Sequence, residues 1–109
     1  MADIVRLSDY RHRKGQVFFD RCELAQLLAV YSDRVSRGEW RDYAVDHAAG
    51  VAMFSVFRHS QDRPLYAISK MQNQRGTEYA VFDGCHRLVH APSLSDVLSV
   101  FTERPRPVD

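Results

Sequence analysis

Residues 42–58 read DYAVDHAAGVAMFSVFR, and the period of this stretch decides the fold. Tyr43, Val45 and His47 alternate with Asp42, Ala44 and Asp46, the step of two that makes a strand with one wet face. Ala48 to Gly50 turn the chain, and Val51 to Arg58 form a second, more apolar strand whose neighbour is the first. Downstream the pattern repeats. His59 to Pro64 is a turn, Leu65 to Met71 a third strand, Asn73 to Gly76 another turn, and Thr77 to Phe82 a fourth strand. Asp83-Gly84 is a tight-hairpin dipeptide, and His86 to His90 make a short fifth strand that Pro92 ends.

On either side the period becomes helical. Leu24, Leu27, Leu28, Tyr31 and Val35 form one apolar stripe at steps of three and four. Asp20 and Glu23 are spaced as a capping box, Phe18 or Phe19 is placed to staple the first turn, and Gly38 suits a left-handed stop after Arg37. This predicts a helix over 20–37. A second helix begins at Ser93, with Asp96 completing a Ser-x-x-Asp box and Leu94, Val97, Leu98 and Phe101 on one face.

The expected fold is therefore α+β: an N-terminal helix, an antiparallel meander of four to five strands and a C-terminal helix. Both helices should pack on one face of the sheet, because no other amphipathic element can cover it. The second face is less settled. Met53 and Phe57 oppose Phe54 and Val56, and Tyr79 and Val81 oppose Ala80 and Phe82, so both sides carry apolar residues. Either the sheet curls around itself or this face is a binding or dimer surface.

A length of 109 residues allows one domain, and 45% apolar with 27% charged residues excludes a wholly disordered or collagen-like chain. The most apolar run, Val51 to Phe57, is far short of the roughly 20 residues of a membrane helix. The charged start, MADIVRLSDYRHRKG, lacks the apolar stretch of an export signal. Cys22 and Cys85 make no disulfide framework, so reduced thiols and a cytoplasmic location are expected. The net charge of +1 implies no bulk attraction to nucleic acid or to anionic lipid, yet it hides an asymmetry: residues 1–16 carry four basic and two acidic groups, while residues 17–101 carry nine and ten. The domain reading is a flexible basic arm over 1–16, a folded unit over 17–101 and a Pro-containing tail over 102–109.

The runs Phe19-Asp20-Arg21-x-Glu23-Leu24, Gly38-Glu39-Trp40-Arg41-Asp42-Tyr43-Ala44-Val45-Asp46, Phe54-Ser55-Val56-Phe57-Arg58 and Arg63-Pro64-Leu65-Tyr66-x-Ile68-x-Lys70, with Tyr31 between the first two, have a recognisable likeness. Together they resemble a family of short uncharacterised alphaproteobacterial proteins catalogued as a domain of unknown function. The similarity spans roughly residues 17 to 101. The resemblance implies a bacterial, cytoplasmic protein and supplies no activity, cofactor or substrate.

Four groups of residues invite a chemical reading. Trp40 and Arg41, with Glu39 and Asp42, stand where the first helix hands over to the sheet, and Trp and Arg dominate binding hot spots. The plainer reading is that Trp40 plugs the helix-sheet seam. Arg58, Arg63, Tyr66 and Lys70 flank the second hairpin, and Tyr66 and Lys70 share a strand face from which they can offer donors to an anion. The alternative is an ordinary solvated strand face. His86 and His90, read as lying on one face of the fifth strand, could join Cys85, His47 and Asp46 around a metal. No CxxC, HxH or HExxH spacing supports that set, so neither metal nor cofactor is expected. Finally, Arg11, His12, Arg13 and Lys14 on the arm suit phosphate contacts.

With no catalytic constellation in view, the leading expectation is a non-enzymatic binding or protein-interaction module. Its partner would be an unknown protein or a second copy of the chain, with no membrane involved. An auxiliary nucleic-acid binder using Arg11, Arg13 and Lys14 is the first alternative, and a small metal- or ligand-binding enzyme the second.

Overall fold

A computed structural model describes residues 17–58 and 63–102. Helix α1, Arg21–Ser36, begins where its sequence says it should. Glu23 N donates to Asp20 Oδ1 and Asp20 N donates to Glu23 Oε1, both at 2.8 Å, so two otherwise free amides are satisfied reciprocally. Phe19 is buried ahead of this turn, while Phe18 stays exposed against the His47 ring at 4.6 Å. At the other end Gly38, at φ +78°, turns the chain out of the helix. Its N–H donates to Val35 O and that of Glu39 to Arg34 O, each at 2.9 Å, and a side chain at that φ would be strained.

Five strands follow: β1 Asp42–Ala48, β2 Val51–Phe57, β3 Tyr66–Asn73, β4 Gly76–Asp83 and β5 His86–Ala91. They pair antiparallel in sequence order, so the sheet is the expected meander, and α2, Leu94–Thr102, closes the described chain. Gly84, at φ +65°, supplies the left-handed residue of the two-residue loop between β4 and β5.

Register assigns every side chain to a face, because pleating alternates them. Val45, Phe54, Ile68, Val81 and Val89 form one row across all five strands. Beside it run His47, Ala52, Lys70, Tyr79 and Ala91, and on the other side Tyr43, Val56 and Tyr66. Leu27 and Val30 of α1 and Leu94, Val97, Leu98 and Phe101 of α2 join this face in a single core. Both helices therefore lie on one side of the sheet. Trp40 is buried at their junction, 5.2 Å edge-on from Phe101 and 6.3 Å from Tyr66.

Two local readings need correction. A register shift at Val81/Phe82 leaves Leu88 as the extra residue of a bulge in β5. His86 then pairs with Asp83 and His90 with Ala80, so the two histidines fall on opposite faces rather than on one. At α2 the Ser93 hydroxyl meets Ser95 Oγ at 3.0 Å instead of forming a box with Asp96.

The other face carries Ala44, Ser55, Ala67, Phe82 and Arg87 in one row and Asp46, Met53, Ser69, Ala80 and His90 in the next. Neither described helix covers it. Its middle is nevertheless buried, with Ser55 8%, Ser69 1% and Ala80 6% exposed.

Candidate functional site

Beneath α1 a polar network crosses the core. The helix presents Glu23 within its first turn, over the row of β3 and β4 that carries Lys70 and Tyr79. Lys70 Nζ donates to Glu23 Oε1 at 2.7 Å and to the Phe18 carbonyl at 2.8 Å, and the Tyr79 hydroxyl donates to Glu23 Oε2. The side chains of Glu23 and Lys70 are each only 10% exposed. Burial pushes the Glu23 carboxyl up, but hydrogen bonds from Lys70, Tyr79 and the Asp20 amide, with the nearby ammonium charge, outweigh it and hold the group below its ordinary value. Tyr79 moves the other way: burial, then its bond to the Glu23 carboxylate, raises its phenol well above the usual range. Each polar group here answers another, so the network fastens α1 to the sheet and presents no free nucleophile or base.

A second fastening lies at the far end of α1. Arg34 donates through Nη1 to Glu39 Oε1 at 2.6 Å and through Nη2 to the Phe101 carbonyl at the end of α2. It thus ties the two helix ends together.

The residues singled out in the sequence are not gathered into one place. Trp40 and Tyr66 meet in the core with Phe101. Lys70 shares their face of the sheet, as its strand parity requires, but its ammonium is directed at Glu23. Arg41 and Arg58 are exposed at the β1 start and β2 end, where the Arg41 amide donates to the Phe57 carbonyl at 2.7 Å, and Arg63 is exposed before β3. Arg11, Arg13 and Lys14 lie outside the described residues, as does His12. The metal candidates are scattered: His47 and Asp46 stand on β1 and His86 and His90 on β5, four strand spacings apart, or about 19 Å across a flat sheet. Cys85 and Cys22 are exposed free thiols. Among the described residues no three His, Cys, Asp or Glu side chains gather as a metal site.

The face of the sheet opposite the two described helices holds a concavity of different chemistry. A cavity of about 390 Å³ is lined by Ser69, Met71, Glu78, Ala80, Phe82, Arg87 and His90, and bordered by Tyr79. Small side chains make the hollow: Ser69 and Ala80 are partners across β3 and β4, while Met71 and Phe82 rise on either side. Near one edge His90 Nδ1 and Glu78 Oε2 pair at 2.7 Å, leaving Arg87 as the cavity cation without an ion-pair partner among the described residues. At the floor the Ser69 hydroxyl is buried and has no hydrogen-bond partner among the described residues. A buried hydroxyl normally finds one. The other buried orphan, Arg34 Nε, belongs to a guanidinium already held at two nitrogens.

Sequence reasoning missed Glu23 as more than a cap, and missed Ser69, Glu78 and Arg87 entirely. The available signal was parity: Ser69, Met71, Ala80 and Phe82 all fall opposite the heavily apolar row.

The family model described as "Protein of unknown function (DUF2794)" matches residues 17–89, well over half of the chain, and the chain belongs to that family. No curated protein and no solved structure matches it.

Proposed function

We propose that this chain is a non-enzymatic binding module whose working surface is the face of its sheet opposite the two described helices. The observation that carries the reading is the Ser69 hydroxyl, 1% exposed and without a partner among the described residues, at the floor of a cavity of about 390 Å³. A volume of this size falls within the roughly 300–1,000 Å³ of small-molecule sites, which combine mostly apolar walls with a few polar groups. The catalytic alternative lacks comparable support, since Glu23, Lys70 and Tyr79 are engaged with one another. The nucleic-acid alternative rests on Arg11, Arg13 and Lys14, outside the described residues.

The test uses 8-anilinonaphthalene-1-sulfonate, a fluorescent probe for apolar hollows. The native chain should enhance its emission saturably, and Ala80→Phe, which fills the floor, should abolish the enhancement while the near-ultraviolet circular dichroism stays native. No enhancement, or enhancement untouched in a folded Ala80→Phe chain, would overturn the proposal.

A further inference from the structure

Resting on that reading of the face opposite the described helices, we infer that its ligand is an apolar monoanion, namely an ionised carboxylic acid with an aromatic or short aliphatic body. The argument is one of charge and wetting. Phe82 and Met71 offer apolar walls, and Ala80 an apolar floor, to the body of a ligand. The Glu78 carboxylate is already hydrogen-bonded to His90 at 2.7 Å, and the permanent cation among the described residues lining the cavity is Arg87. A guanidinium presents a planar fork that matches a carboxylate with two parallel hydrogen bonds and balances a single negative charge. Arg87 pairs in register with Phe82, which brings the charge beside the aromatic wall. The Ser69 hydroxyl, on the same face and lining the same cavity, adds a donor that has no acceptor among the described residues. A guanidinium and a buried hydroxyl, beside a carboxylate already engaged by His90 and set among apolar walls, suit an amphiphilic anion better than a cation, a sugar or a neutral hydrocarbon.

The experiment follows amide resonances of the full-length chain by ¹H–¹⁵N correlation spectra during titration with 4-phenylbutyrate and, separately, with its neutral analogue 4-phenylbutyramide. Saturable shifts at Ser69, Ala80 and Phe82 with the acid are expected, together with at least tenfold weaker binding of the amide. Arg87→Gln should weaken the acid by about tenfold and leave the amide unaffected, and because Arg87 is exposed the variant should keep the native urea midpoint. Equal binding of acid and amide would overturn the anion assignment while sparing the face as a binding surface. Absence of shifts with the acid, when the sulfonate probe still binds, would do the same. If neither probe binds, both proposals fall. Shifts on this face that grow with protein concentration alone would make a second copy of the chain its occupant and would also overturn the assignment.

Discussion

The two faces of the sheet are built from the same five strands by opposite rules. Under the helices, large side chains fill the middle: Phe54, Ile68 and Val81 form one row and are at most 1% exposed. The polar groups admitted there, Glu23, Lys70 and Tyr79, satisfy one another. On the other face the middle is small, with Ala44, Ser55, Ala67, Ser69 and Ala80, and the large residues Met53, Phe57, Met71 and Phe82 stand around it. An antiparallel sheet with one face in water ordinarily alternates apolar with polar residues. Here it alternates large with small, which leaves a hollow rather than a wetted surface. The polar group at its centre, Ser69, lacks a partner among the described residues. The difference separates a face made for packing from one with room for a ligand.

The largest effect should come from breaking the satisfied network. Glu23→Ala leaves a buried ammonium and phenol without their acceptor and should cost about 3–5 kcal/mol, read as a fall in the urea midpoint. Replacing both partners, Glu23→Leu with Lys70→Met, should recover most of that loss, since a buried pair is often matched by hydrophobes of similar volume. If the double variant were as unstable as the single one, the network would be contributing more than mutual satisfaction.

Next in size is a pair of truncations at nearby positions of β3. Ile68→Ala, on the helix-covered face, should cost about 2–5 kcal/mol through the cavity it leaves. Met71→Ala, 42% exposed on the other face, should stay within about 0.5 kcal/mol. Similar losses from both would erase the distinction between packed and open faces.

Much of this contrast was legible beforehand. Period two along Asp42–Arg58 gave the strands, and parity put Met53, Ala80 and Phe82 opposite Phe54, Tyr79 and Val81. The capping box located the start of α1. What escaped were facts of register and long-range meeting. Glu23 was visible as a local cap, but its acceptance of Lys70 and Tyr79, 47 and 56 residues away, depends on how the helix is laid on the sheet. The bulge that splits His86 from His90 exists only relative to the partner strand, because alternation within HRLVH alone puts them together. Strand parity places Lys70 on a face but does not show that the start of α1 covers it there. The same blindness hid the cavity: Ser69 and Arg87 sit on strands that are not neighbours, joined by β4 between them.

Titration gives a third, smaller test. Glu23 is held below its ordinary value near 4.5, so its contribution is present above that pH and is lost as the pH falls through its lowered folded value. Tyr79, raised above 10.0, contributes fully below pH 10 and loses that contribution as the pH climbs through its higher folded value. Tyr79→Phe removes one of the bonds that lower Glu23 and should cost about 1.5–3 kcal/mol at neutral pH. It should also flatten the acid limb of stability, because the carboxyl moves back toward its unfolded value. Urea midpoints between pH 2 and 7 for both proteins decide this. An acid limb unchanged in Tyr79→Phe would show that the phenol does not lower the carboxyl.

The smallest expected effect is the most telling for the open face, because its sign is reversed. Ser69→Ala removes a buried hydroxyl that has no partner among the described residues, so it should stabilise the free chain by about 1 kcal/mol, whereas removing a satisfied group destabilises. The same change should weaken binding of 4-phenylbutyrate several-fold. Alanine already stands at 44, 67 and 80 on this face, so the strands accept it there, and a chain tuned for stability alone has no use for an oxygen at 69. A gain in the urea midpoint together with a loss of affinity would identify the hydroxyl as one kept for a ligand at the expense of the fold. A loss of stability instead would mean that the oxygen is already satisfied in the free protein, and the contrast between the two faces would then rest on side-chain size alone.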